Sequence, residues 1–561
     1  MLLLKAKKIN KWYGPRQLLK DISFEIYKGD KIGLVGRNGT GKSTLFKILM
    51  GKDDDYTGNI KPLIKIGYLP QYYQFDKKKT VESFLTKFSY DYGLFMKYMR
   101  KFGLSKDFLD RKLNECSGGE QTKIQLIKLL VQEAGLLILD EPTNHLDIGS
   151  MNWLKDFINK FTGAVLIVSH DRYFLDKVVN QIWELEDGEI SRYSGNYSSF
   201  TTQKKKEKKY KQKEYEKYQA EKKKLKEAIR RQKQYVNKSD KGRKRTDSFW
   251  RELKGQDRRN GQFAQRVNSL ESQLEQLEEK PKPYEHKEIN MDLVPREEAH
   301  SNILIRGKNV SKSFSDKTLF SNIDFTVEKG TKIGLIGKNG VGKTILLKLI
   351  LGKETLSKGD IFRASSLNTG YFSQKLVELN PDNNILEELK SFREELEKET
   401  IRTFLGVMLF SGKEVFKKIS DLSIGERVRV CFTKLLLSNS NLLVLDEPLN
   451  HLDISSRENI EKALGNYPGT VIFVTHDQVF LKNVATNIWE LVDNNLICFQ
   501  GNYEEYREYK NKKRNESRKE NSKSNLVIQM KKAELIAKLN KVKNEKVKQK
   551  IEEKIQNPEQ K

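Results

Sequence analysis

Short apolar runs punctuate this chain, then return in the same order. Ile32–Val35, Leu136–Leu139 and Ala164–Val168 are answered by Ile333–Ile336, Leu442–Leu445 and Thr470–Val474. Four or five apolar residues in a row, without alternation, predict parallel strands buried on both faces. Elsewhere the pattern changes. Phe200–Gln234 is dense in Lys and Glu and free of Pro and Gly, which predicts a helix. Gln262–Glu279 predicts a second helix, with Val267, Leu270, Leu274 and Leu277 at heptad-like spacing. The stretch between them holds Gly242, Gly255 and Gly261. The expectation is an antiparallel helical hairpin with its bend within Asn237–Arg251. Arms of about 35–39 residues would reach roughly 53–58 Å.

The repetition extends to polar positions. Gly36-Arg37-Asn38-Gly39-Thr40-Gly41-Lys42-Ser43 returns as Gly337-Lys338-Asn339-Gly340-Val341-Gly342-Lys343-Thr344, 301 residues on. Gln71 returns as Gln374, and Ser117-Gly118-Gly119-Glu120 returns as Ser423-Ile424-Gly425-Glu426. "LILDEPTNHLD", Leu137–Asp147, returns as "LVLDEPLNHLD", Leu443–Asp453. His170 and Gly195-Asn196-Tyr197 return as His476 and Gly501-Asn502-Tyr503. An offset that stays between 301 and 306 marks a duplicated domain. The fold class that follows is α/β, with two tandem P-loop domains joined by the helical hairpin. The boundaries expected are 1–198 and 301–508 for the domains, 199–284 for the hairpin, 285–300 for a connector and 509–561 for a basic C-terminal extension.

Composition adds a partner. The chain has 561 residues and a formal net charge of +28. Thr201–Lys280 carries 26 Lys and Arg against 13 Asp and Glu, and Lys510–Lys561 carries 17 against 7. The repeated domains are nearly neutral, so the appended segments are the parts expected to touch a polyanion. No apolar run is long enough to cross a membrane, and Met1–Lys5 is too short for a signal peptide, so a cytoplasmic location is expected. Cys116, Cys431 and Cys498 are isolated and read as reduced, buried thiols.

Each repeated residue has a chemical reason. A glycine loop between a buried strand and a helix presents backbone N–H groups to phosphates. In it, Lys42 and Lys343 pair with the β- and γ-phosphates, Ser43 and Thr344 hold Mg²⁺, and Thr44 stands beside the first of these hydroxyls. Asp140 and Asp446 end their strands within reach of the metal. Glu141 and Glu447 stand next to them, where a carboxylate orients or deprotonates the attacking water. His170 and His476 follow further buried strands. Tyr13 and Phe314 each stand 23 residues before a glycine loop, placed to stack on an adenine or to fill the core. At the bend, Phe249 and Trp250 among Lys241, Arg243, Lys244, Arg245 and Arg251 suit stacking on unpaired RNA bases, or else the bend is a solvated spacer.

Ser117–Gln121 before "LDEPTNHLD", followed by Ser169-His170-Asp171, resembles the ATP-binding cassette family. Two cassettes, a charged helical linker and no membrane segment resemble its ABC-F subfamily. The resemblance implies a monomer whose two domains form an intramolecular pseudo-dimer, with each ATP lying between one glycine loop and the other domain's Ser-Gly-Gly-Glu-type motif. Gly36–Ser43 would then face Ser423–Glu426, and Gly337–Thr344 would face Ser117–Glu120. Ile424 departs from the family's glycine and places the first loop's turnover in doubt. Cys116 and Leu449 are smaller departures.

The Gln71–Ser117 and Gln374–Ser423 spacings of 46 and 49 residues leave no room for an extra arm in either domain. A prominent arm in the first domain marks the translational-throttle type of ABC-F protein, so the resemblance to that type is the weaker one. The linker looks like that of ABC-F proteins that enter the ribosomal exit-tRNA site with ATP and protect the peptidyl transferase region from antibiotics. Their contacts would be rRNA and peptidyl-site tRNA. A housekeeping translation or ribosome-assembly ATPase is the alternative. A DNA-structure protein fits the short tail poorly. A transporter ATPase with a transmembrane partner leaves the basic hairpin without a role.

Overall fold

The computed structural model describes residues 1–70, 79–86, 91–116, 118–132, 134–143, 146–241, 265–280, 301–314, 317–373, 379–450, 452–513 and 515–516. The chain divides into two compact units. One comprises Met1–Tyr72, Gln132–Glu141 and Phe157–Glu288; the other comprises Tyr73–Val131, Pro142–Asp156 and Ile289–Lys561.

In the first unit, six strands run in the order Ile66–Leu69, Leu136–Asp140, Ala164–Val168, Lys31–Val35, Gln181–Glu186 and Glu189–Ser194. All neighbours are parallel except the last pair. Every residue of Leu136–Asp140 and Ala164–Val168 is buried, as uninterrupted apolar runs require. A three-stranded antiparallel sheet, Arg16–Tyr27, Leu2–Tyr13 and Thr57–Pro62, packs through the same core. Trp183 meets Phe24 there at 4.8 Å between ring centroids.

The second unit repeats this design. Its six strands are Thr369–Phe372, Leu442–Asp446, Thr470–Val474, Lys332–Gly337, Asn487–Val492 and Asn495–Gln500. Its antiparallel sheet is Lys317–Glu328, Ile303–Phe314 and Lys358–Arg363. Trp489 and Phe325 reproduce the aromatic contact at 5.4 Å.

Both Gly-Asn-Tyr triplets start helices. The Asn196 side chain accepts from the Ser199 N–H at 3.1 Å, and the Asn502 side chain accepts from the Glu504 and Glu505 N–H groups at 2.9 and 3.1 Å. The first helix, Tyr197–Lys241, has 45 residues, about 67 Å of arm. It is still helical at 237–241, the start of the expected bend. Residues 265–276 form the second arm. Lys233 pairs with Glu271 at 2.7 Å, and Tyr218, Ile229 and Val267 are buried, so both arms contribute to an apolar seam under their charged faces. Arg243, Lys244, Arg245, Phe249, Trp250 and Arg251 lie outside the described residues, as do the connector and 517–561.

One expectation is corrected. Cys116 and Cys431 are buried, but Cys498 is exposed. It sits on Asn495–Gln500, the outermost strand of its sheet, with its Sγ 3.9 Å from the Asp324 carbonyl of the neighbouring antiparallel sheet. Among the described residues, no helix is long and apolar enough to cross a membrane.

Candidate active sites

Each glycine loop is shaped by positions that exclude a side chain. A Cβ on Gly36 would lie 2.5 Å from the Leu185 carbonyl oxygen, and one on Gly337 would lie 2.6 Å from that of Leu491. Gly41 and Gly342 adopt φ of +106° and +109° just before the helices Lys42–Leu49 and Lys343–Ile350. The Lys42 Nζ donates to the Gly36 and Arg37 carbonyls at 2.7 and 2.8 Å. The Lys343 Nζ donates to those of Gly337 and Lys338 at 2.9 and 3.0 Å. In both copies the ammonium closes the loop from inside, at the positive end of a helix.

Beside each helix start a strand delivers a carboxylate. Asp446 accepts from the Thr344 hydroxyl at 2.8 Å. Asp140 is hydrogen-bonded to Ser43, and its Oδ1 is buried with no hydrogen-bond partner. Burial pushes Asp140 up to about 6 against the pull of Ser43, and burial raises Asp446 likewise. A buried carboxylate beside a hydroxyl is a hard-oxygen donor set, so these residues fit a magnesium ion.

Glu141 and Glu447 share a strained backbone, with φ of +53° and +50°. Their N–H groups donate to the Val168 and Val474 carbonyls at 2.8 and 3.1 Å, which pins the turn after each strand. The Glu141 carboxylate accepts from the His170 backbone N–H at 3.3 Å and lies 3.3 Å from its Nε2. The His476 Nε2 lies 3.5 Å from Glu447 and 3.1 Å from the Asn339 side-chain oxygen. Burial raises the Glu447 carboxyl, which suits a group that takes a proton.

Asp147 closes the run Leu137–Asp147, and nothing in that run alone assigns it a role. Within the second unit its charge acts on Lys343, together with those of Glu447 and Asp446. Burial would raise Asp147, but the Ser150 amide, Lys123 and His476 hold it low. A carboxylate from the first repeat thus acts electrostatically on the second repeat's loop lysine. Only long-range packing brings them together; the repeated Leu-Asp ending was the available hint.

The remaining expected residues are placed as follows. Tyr13 and Phe314 are 55% and 46% exposed, so neither is a core aromatic. Gly118, Gly119 and Glu120 open the helix Gly118–Val131, with Arg111 3.7 Å from Glu120. Ser423 caps Ile424–Leu436 in a capping box with Glu426; Gly425 is buried and Ile424 is 48% exposed. Asn38, Gly39 and Thr44 lie in the first loop and helix, and Gly340 has φ of +74° in the second. Gln71, Gln374 and Ser117 lie outside the described residues. Gly36–Ser43 and Ser423–Glu426 belong to different units.

Strand, lysine-filled glycine loop, helix and a carboxylate pair at the end of a second parallel strand of the same sheet define a P-loop nucleotide site, and this chain has two. The ABC transporter family model matches residues 19–144 and 320–450, and a second ABC transporter model matches 183–254. The putative ATP-binding protein YdiF of Bacillus subtilis (strain 168) is 34% identical, over 91% of this chain and 83% of its own. ABC transporter F family member 5 of Arabidopsis thaliana is 32% identical, over 90% and 77%. The energy-dependent translational throttle protein EttA of Escherichia coli (strain K12) is 32% identical, over 88% and 93%. The solved structure of RNase-L Inhibitor shares the fold, with a TM-score of 0.60 and 20% identity over 88% of this chain and 90% of that one.

The chain belongs to the F family of ABC proteins. It is an ATPase, with two ABC domains that bind ATP.

Proposed function

We propose that this ATPase binds the ribosome at the exit-tRNA site and protects it from antibiotics that act at the peptidyl transferase region. The observation that carries this reading is the basic arm. A 45-residue helix leaves the first ATPase domain, packed against a second arm, within a segment holding twice as many Lys and Arg as Asp and Glu. About 67 Å of positively charged helix suits a long approach across RNA phosphates. Lys241, Arg243, Lys244, Arg245, Phe249, Trp250 and Arg251 are the proposed tip, contacting rRNA and peptidyl-site tRNA. The protein works in the cytoplasm as a monomer without a membrane partner, its two domains pairing as an intramolecular pseudo-dimer.

In this reading Glu141 and Glu447 accept the proton of the attacking water. His170 and His476 steady those carboxylates and meet the terminal phosphate. Lys42 and Lys343 neutralise the phosphates cradled by Gly36, Asn38, Gly39 and Gly41 and by Gly337, Asn339, Gly340 and Gly342. Ser43, Gln71 and Asp140, and Thr344, Gln374 and Asp446, would hold Mg²⁺, which supplies charge neutralisation on the phosphates. Tyr13 and Phe314 stack on the adenine. Ser117–Glu120 and Ser423, Gly425 and Glu426 complete the opposite sites.

A second reading has its own support. A relative 32% identical is named a translational throttle protein, which favours a housekeeping role in translation without resistance. Expression in a susceptible host, with inhibitory concentrations measured for lincosamide, pleuromutilin, streptogramin A, phenicol and macrolide drugs, separates the two. The resistance reading expects a rise for at least one class. It also expects Phe249→Ala with Trp250→Ala to remove the rise while ribosome binding persists. No rise for any class supports the housekeeping reading.

A further inference from the structure

In both repeats a buried lysine sits two residues before the exposed aromatic. Lys11 is 2% and Lys312 is 6% exposed, although each lies on a strand whose next two residues face solvent. The pairing with the neighbouring strand shifts register on both sides of Lys11, and again on both sides of Lys312. Such irregularities re-aim a side chain out of its expected face. The Lys11 Nζ donates to Asp53 and Asp55 at 2.7 and 3.1 Å and lies 5.2 Å from the centre of the Tyr13 ring. The Lys312 Nζ donates to Glu354 at 2.8 Å and to the Thr355 carbonyl at 2.7 Å, and lies 4.6 Å from the Phe314 ring. Asp53 and Glu354 occupy matching places, just beyond the helices that begin at Lys42 and Lys343.

We propose that Lys11 and Lys312 are positioning residues for the nucleobase. Each ammonium holds one face of an otherwise exposed ring by a cation–π contact and anchors it to the far end of the phosphate-binding helix. The other face is left fixed at a set distance from the phosphate loop. This rests on the reading that Tyr13 and Phe314 stack on adenine. A buried lysine retained twice, under a Tyr in one copy and a Phe in the other, is not explained by packing alone. An apolar residue would fill the space without needing acidic partners.

The test compares ATP with inorganic tripolyphosphate, which has the charge and no base. Binding to the full-length protein is measured by calorimetry, alongside KM and kcat. Lys11→Met with Lys312→Met is expected to weaken ATP about tenfold, seen in KM rather than in kcat at saturation, and to leave tripolyphosphate unchanged. Lys→Arg at both positions should keep ATP affinity. Equal losses for both ligands would mean a merely structural role and overturn the proposal. So would an unchanged ATP-to-tripolyphosphate ratio in the Met variant when Tyr13→Ala with Phe314→Ala lowers it. If the alanine variant also leaves that ratio unchanged, the stacking reading fails and the lysine proposal falls with it. Should the Met variant not fold, Asp53→Asn with Glu354→Gln loosens both anchors from the solvent side. A two- to threefold loss of ATP alone is then expected, and no loss refutes the anchor.

Discussion

Asp140→Asn should make the nucleotide-free protein more stable while removing its use of magnesium. The Asp140 carboxyl is 2% exposed, and burial pushes it from 3.8 to about 6. A rise of about two units at roughly 1.36 kcal/mol each puts the cost of keeping it ionised in the fold near 3 kcal/mol. Because the folded value lies above the unfolded one, this cost is absent below about pH 4, where both states are protonated. It grows as the pH rises between about 4 and 6 and is complete above that range. Asparagine keeps a partner for Ser43 and carries no charge, so about 3 kcal/mol is the ceiling of the gain.

Hydrogen exchange reads this locally, in peptides covering Leu136–Asp140 and Ala164–Val168. Without nucleotide or magnesium at pH 7.5, those amides should exchange up to about 100-fold more slowly in the variant than in the wild type. At pH 5 the gain should fall to about half in free energy, since the folded wild type is then mostly protonated. Comparing the proteins at equal pH cancels the intrinsic exchange rate. With magnesium and ATP the order should reverse, because only the wild type is stabilised by the metal complex. No slowing at pH 7.5, or a slowing that does not shrink on acidification, would refute the view of Asp140 as a desolvated carboxylate awaiting a cation.

Glu141→Gln with Glu447→Gln should bind ATP normally and hydrolyse it about 10²–10⁴-fold more slowly in a steady-state phosphate assay. Gly36→Ala must push its Cβ away from the Leu185 carbonyl 2.5 Å off, so about 1–3 kcal/mol of destabilisation and weakened ATP binding at the first loop are expected in melting and titration experiments. Replacing Lys241, Arg243, Lys244 and Arg245 with glutamine should flatten the salt dependence of ribosome binding while leaving the ATPase of the free protein intact. An unchanged slope would place the contact elsewhere.

The parallel strands were legible because continuous apolar runs have few other uses. The glycine loops were legible because lysine and hydroxyl follow them at fixed spacing. Gly-Asn-Tyr was legible as a repeat but not as a helix start, since the charge pattern begins only at Phe200 whereas Asn196 already caps the helix. What stayed hidden depends on backbone geometry or on distant segments. Nothing in an Asp-Glu dipeptide shows that Glu141 and Glu447 turn left-handed. Strand alternation alone does not foretell that Lys11 and Lys312 are turned inward, because the register shifts beside them depend on the partner strand. Asp147 reaches Lys343 across nearly 200 residues of sequence, a proximity made by packing alone. The exposure of Cys498 reflects its place on an outer strand, which follows from strand order rather than from any residue near it.

The most direct test of the central claim is sedimentation of the Glu141→Gln, Glu447→Gln protein with purified ribosomes, with and without ATP, over a range of salt concentrations. An ATPase that closes on the ribosome through basic arms should pellet with ribosomes when ATP is present and remain in the supernatant without it. Its affinity should fall steeply as salt rises. Equal pelleting with and without ATP, or no pelleting in either, would contradict the account.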